Sequence, residues 1–167
     1  MAYLAWGADH NNKYPMEISV TNGGAMESVA NGDVAACFGV MSNELKTPKI
    51  LNCPADPIHP AAIDFTNGLN NSNISYFVCL DADESHPNEL LSGDANFEIS
   101  GTSIHSGLLQ FSTNVPIGWD SIRHPGFGYG GVGNLGFADG GAAEESSNGL
   151  HNALLETGLA TNRLAIP

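Results

Sequence analysis

Carboxylates gather in Leu80-Asp81-Ala82-Asp83-Glu84, where Asp81, Asp83 and Glu84 fall within four consecutive positions and Asp94 follows ten residues later. A loop presenting several oxygens to one centre suits calcium, which takes roughly six to eight oxygen ligands. The spacing is not that of an EF-hand, because no glycine and glutamate stand at the required later positions. The same carboxylates also suit capping of the following helical turn and bonding of loop amides. Asp139 precedes Gly140, and Asp-Gly is a turn signal, since glycine accepts positive φ and aspartate bonds its own following backbone. His124 and Asp139 form a candidate catalytic or metal pair, although a histidine beside proline in a loop commonly serves as a structural hydrogen-bonding residue.

Other chemistries find less support. His10, His59, His86, His105 and His151 show no paired metal spacing, and Cys37, Cys53 and Cys79 contain no Cys-x-x-Cys, which argues against zinc. Cys53 precedes Pro54 in apolar surroundings with no basic neighbour in sequence, so a reactive thiol is not expected. Three cysteines allow one disulfide with a free thiol or three buried thiols. There is no Gly-x-Ser-x-Gly elbow. The glycine-dense His124–Gly131 segment lacks both the P-loop Lys-Ser/Thr and the dinucleotide-binding spacing. Its rings, Phe127 and Tyr129 with Trp119 upstream, either contact a protein or sugar or pack back on the sheet. The expectation is that the chain is not an enzyme.

Five basic against eighteen acidic residues give a net charge of −13. That balance opposes nucleic acid and anionic membrane surfaces, both of which require Lys and Arg. It is compatible with calcium, or simply with a solvated acidic surface. The 167 residues suit one domain, 1–167, with 42% hydrophobic content and a real core.

The elements that must position these side chains follow from pattern. Ala2–Ala8 reads as helix, broken before Pro15, and Met16–Thr21 as a short extended piece. Met26, Val29 and Ala30 share one side of a second helix, and Asp33 can cap a third carrying Val34, Cys37, Phe38 and Met41. Lys49–Cys53 is a short apolar run, 56–61 a loop, and Ala62–Leu69 a short helix. Ser75–Leu80, rich in aromatic and β-branched residues, predicts a central strand. Pro87 can start a helical turn through Leu91. Asn96–Ser100 and Leu108–Ser112 predict two more strands. Leu135 and Phe137 predict a strand that turns at Asp139-Gly140 and returns over Ala142–Glu145. Ser147 can cap a helix carrying Leu150, Leu154 and Leu155, closed by Gly158. Helices, an antiparallel meander and a closing helix make an α+β fold with helices on one face of the sheet.

Several pieces carry a resemblance: Gly133–Gly140 with its Phe-Ala-Asp-Gly, the preceding His124, Pro48–Asp56 with Cys53-Pro54, Ile74–Val78, Leu80–Glu84 leading to Leu90–Asp94, and Thr161–Pro167. In this order they resemble bacterial prepilin-type and type II secretion pseudopilin-like proteins. In that family the histidine usually stands nine residues before Asp-Gly, whereas fourteen residues intervene here. The resemblance implies a pilin-like head, with an N-terminal helix and short helices packed on an antiparallel sheet. Residues 1–8 then look like the end of an apolar N-terminal helix truncated at a start methionine. The missing segment would be the membrane anchor and assembly helix. Major pseudopilins bind calcium in a C-terminal loop near Ala-Asp-Gly, which extends the metal candidates to Asp139 beside Asp81, Asp83 and Glu84, although Gly141-Ala142-Ala143 replaces the further aspartates.

The implied role is a structural subunit of a type II secretion pseudopilus or type IV pilus-like filament. Its partners would be other pseudopilin subunits and secretion or pilus components, and calcium a stabiliser. Its place would be the periplasm or cell surface, anchored in the inner membrane before assembly. The other reading is an extracellular module that binds a glycan or protein through calcium.

Overall fold

The computed structural model describes residues 2–124 and 131–167. The chain opens with α1 (Ala2–Ala8), whose Tyr3 and Trp6 are buried. Tyr3 meets Tyr14 and Phe38 edge-on. Two 3-10 turns, Pro15–Glu17 and Val20–Asn22, stand where an extended piece was expected. Pro15 presets the first, the Tyr14 N–H donates to the Glu17 carboxylate, and Ser19 caps the second, so local caps override weak alternation. Helices α2 (Met26–Ala30) and α3 (Val34–Val40) follow, and Asp33 accepts from the Ala36 N–H as its type and position predict. A short α4 (Ser42–Leu45) and a 3-10 turn at Pro48–Leu51 lead to the loop that carries Cys53 and Asp56.

The expected helix over Ala62–Leu69 does not form. Asp64 accepts from the Thr66 and Asn67 N–H groups, a turn that competes with helix, and Gly68 has φ +95.

The strands are β1 (Tyr76–Cys79), β2 (Leu90–Asp94), β3 (Phe97–Ile99), β4 (Thr102–Ile104), β5 (Gly107–Phe111), β6 (Ile117–Trp119), β7 (Val132–Phe137) and β8 (Ala142–Ser146). Helix α5 (Ser147–Glu156) and a last strand β9 (Asn162–Ile166) complete the chain. One sheet runs β5-β9-β1-β2-β7-β8 and a second β4-β3-β6, all pairs antiparallel. The architecture is α+β. It is not the simple meander with a closing helix that the pattern predicted, because β9 returns after α5 and inserts between β5 and β1.

β1 is central as expected, and β7 turns through Asp139-Gly140 into β8. Gly140 has φ +85, the left-handed conformation that this turn requires. Leu90 and Leu91 are strand rather than helical turn, since pairing with both β1 and β7 gives β2 more hydrogen bonds than one turn after Pro87 would. The cap of α5 is Ser146, which accepts from the Gly149 N–H, while Ser147 instead accepts from the Trp119 N–H. One buried cluster extends from Tyr3 to Ile166, with Phe97 stacked on Trp119 at 5.0 Å between ring centres.

Candidate functional site

The Cys53-Pro54-Ala55-Asp56 turn is held at both ends. Its Asp56 N–H donates to the Cys53 carbonyl at 2.9 Å, and the Cys53 N–H donates to Ser75 Oγ at 2.9 Å, just before β1. Ser75 Oγ in turn donates to Asp56 Oδ2 at 2.7 Å. The Asp56 carboxylate is fully buried, with Arg123 Nη2 at 2.9 Å and His59 Nδ1 at 2.7 Å. Arg123 Nη1 donates to the Ser75 carbonyl at 2.8 Å, which fixes the guanidinium against the entry to β1. Burial alone would push the Asp56 carboxyl up. The Ile58 N–H, Ser75, His59 and the Arg123 charge more than offset it and hold it below the usual carboxylate range.

This clamp places the next residue, His124, against Cys53 and Asp94. Its Nε2 lies 3.4 Å from Cys53 Sγ and 3.5 Å from Asp94 Oδ2. The His124 carbonyl accepts from the Val132 N–H, which ties the backbone to β7. Asp94 ends β2, and its Oδ2 accepts from the Asn134 N–H at 2.7 Å and from Asn134 Nδ2 at 2.9 Å. Tyr76, which faces Asp94 across β1–β2, has its phenol pushed up to about 12, first by burial and then by the charges of Cys53 and Asp94. Among the described residues, these are the one set of three or more His, Cys, Asp or Glu whose ligand atoms all lie within 4.8 Å of one another.

The sequence reading missed this set. It gave Cys53 no basic neighbour, but the neighbour is 71 residues away. It paired His124 with Asp139, yet these stand at opposite ends of β7, with Asp139 exposed in the turn. All three cysteines are free and buried, and burial pushes the Cys37 and Cys79 thiols up to about 12.

The expected calcium ligands are placed differently. Asp81 is taken by Arg163: it accepts from the Arg163 N–H at 2.8 Å and Nε at 2.7 Å, with Nη2 at 2.5 Å. Asp83 accepts from the Ser85 N–H and hydroxyl, and Asp139 from the Gly141 N–H, so both stabilise local turns. Glu84, Asp83 and Asp139 do share a neighbourhood. The buried Tyr14 phenol is pushed up to about 12, first by burial and then by Glu84, Glu17, Asp83 and Asp139. Asp81, Asp83, Glu84 and Asp139 do not converge as one mutual ligand set.

A structural role for Asp81 predicts that Asp81→Asn costs about 1 kcal/mol, discounted for the half-exposed arginine. Thermal melts would show the same loss with and without calcium. A loss seen only with calcium present would instead make Asp81 a ligand.

Of the aromatic loop, Phe127 and Tyr129 lie outside the described residues, while Trp119 is 1% exposed and packs in the core, out of reach of a sugar. No family model, curated protein or solved structure matches this chain.

Proposed function

We propose that the chain is the head of a pilin-like structural subunit that assembles into a type II secretion pseudopilus or a related filament. The observation that carries this reading is the convergence of the resembling pieces. Ile74–Val78, Leu90–Asp94, Gly133–Gly140 and Thr161–Pro167 are scattered along the sequence, yet they supply β1, β2, β7 and β9, four adjacent strands. Cys53-Pro54 and His124, from the same set, meet at one end of that sheet. Helix α1 joins the core through Tyr3 and Trp6, as a helix leading into a pilin-like head would.

The surface suits contact between subunits. The outer strand β5, Gly107-Leu108-Leu109-Gln110-Phe111, has no charge, and Leu108 is exposed. An uncharged edge strand is open to pairing with another chain, whereas the opposite edge, β8, is guarded by Glu144 and Glu145. No helix among the described residues is long and apolar enough to cross a membrane, so membrane anchoring in this proposal rests on an additional apolar segment.

Two measurements test the proposal. In the native genome, the frame upstream of Met1 is expected to encode a basic leader and an apolar helix of about 20 residues. In native cells, antibody to this chain is expected to label sheared, pelletable filaments, and cross-linking to give chain-to-chain products. A uniformly monomeric, freely released protein would overturn the assembly role. Calcium is tested separately: a higher melting temperature in millimolar calcium would support it as a stabiliser, and an unchanged melt would remove calcium while leaving assembly standing.

A further inference from the structure

We propose that Cys53, Asp94 and His124 form a binding site for a divalent transition metal of the zinc class. The inference stands on side-chain geometry and does not depend on the filament reading.

Zinc bound to sulfur at about 2.3 Å and to nitrogen or oxygen at about 2.0–2.1 Å in a tetrahedron separates its ligand atoms by about 3.3–3.6 Å. The observed 3.4 Å from Sγ to Nε2 and 3.5 Å from Nε2 to Oδ2 are such edges. Two edges of the site thus match, and the third, from Sγ to the Asp94 carboxylate, lies within 4.8 Å.

A histidine that activates a thiol with help from a carboxylate turns one ring nitrogen to each partner. Here the thiol and the carboxylate both face Nε2, which suits three ligands around a common centre and does not suit proton relay. Cys53 is also only 6% exposed, poorly placed for attack on a substrate.

The backbones of Cys53 and His124 are anchored by Ser75 and Val132, and the Asp94 carboxylate itself is oriented by Asn134. Both Asn134 N–H donors fall on Oδ2, the oxygen nearest Nε2, so the metal takes the carboxylate through Oδ1 or displaces one Asn134 bond. Such outer contacts orient ligands and strengthen metal sites.

The donor set also selects the ion. Thiolate and imidazole favour zinc and its neighbours, while calcium prefers oxygen alone. On binding, the thiol proton passes to solvent, and one thiolate and one carboxylate neutralise the two positive charges. The His124 side chain, 23% exposed, leaves a solvent-facing side through which the ion can pass.

The test uses the full chain, stripped of metal under reducing conditions and titrated with zinc chloride by calorimetry. Saturable binding of one ion per chain is expected, with no competition from millimolar calcium. Cobalt(II) as a probe is expected to give strong tetrahedral visible bands and a thiolate charge-transfer band. Cys53→Ser should abolish the charge-transfer band and weaken zinc on the order of 10–100-fold or more. Cys79→Ala, at a separate buried thiol, should leave both unchanged. If Cys53→Ser does not fold by circular dichroism, His124→Asn at the partly exposed position takes its place and should weaken zinc comparably. No saturable zinc binding, a thiolate-free octahedral cobalt spectrum, or undiminished affinity in a folded Cys53→Ser or His124→Asn chain would overturn the proposal.

Discussion

Arg123→Met is expected to destabilise the fold by about 3–5 kcal/mol near neutral pH, because it leaves a buried carboxylate without its cation. The Asp56 side chain is fully buried and that of Arg123 is 5% exposed, so water cannot substitute for the lost charge. The Ser75 carbonyl also loses the guanidinium as a donor and keeps only its bond from the Ala95 N–H. For a chain of this length, each kcal/mol shifts the melting temperature by about 2–4 °C. The variant is therefore expected to melt at least several degrees lower.

The pH dependence follows from the depressed Asp56 carboxyl. A group whose folded pKa lies below its unfolded value contributes stability above the unfolded pKa and loses it as pH falls through the folded one. The difference between wild type and Arg123→Met should thus be full at neutral pH and shrink once pH drops below the ordinary carboxylate range. Chemical denaturation at several pH values measures this. A pH-independent difference would mean that lost packing, and not the buried charge, sets the cost.

Gly93→Ala is the second large effect, expected to cost about 3 kcal/mol through overpacking. A Cβ at Gly93 would stand 2.5 Å from the Asn134 carbonyl oxygen and 2.7 Å from a Phe77 ring carbon. The carbonyl belongs to β7, which is paired to β2, and the Phe77 ring is fully buried, so Gly93 gains room only by opening the ladder or repacking the core. Asp94 and Asn134 would move with it, which should weaken metal binding as well as stability. Gly39 in α3 is the control, because a Cβ there meets nothing within 4 Å. Gly39→Ala should be neutral or stabilising by up to about 1 kcal/mol. Equal melting temperatures for the two variants would show that β2 has room that the structure denies it.

Much of the chain is written locally. The near-3.6 spacing of Val34, Cys37, Phe38 and Met41 after Asp33 suffices for α3, the aromatic and β-branched run suffices for β1, and Asp139-Gly140 suffices for the β7–β8 hairpin. Each depends on periodicity or on a side chain bonding its own neighbourhood, so a single segment contains the information. Composition likewise set the acidic surface and a core large enough for one cluster.

Tertiary structure alone decided the rest. Leu90–Asp94 and Asn162–Ile166 are strands because partners on both sides complete their hydrogen bonds, and neither segment announces those partners. Asp81 reads from sequence as a calcium-ligand or capping candidate in an acidic loop, and only the return of β9 brings Arg163 to pair with it. Cys53, Asp94 and His124 come together only because two loops and the end of β2 meet at the same side of the central sheet, held by Ser75, Asn134 and the Asp56–Arg123 pair. Spacing along a chain reports what one helix or strand can align. Ligands brought from separate elements leave no spacing to read, because the distance between them is set by strand pairing and by a buried charge.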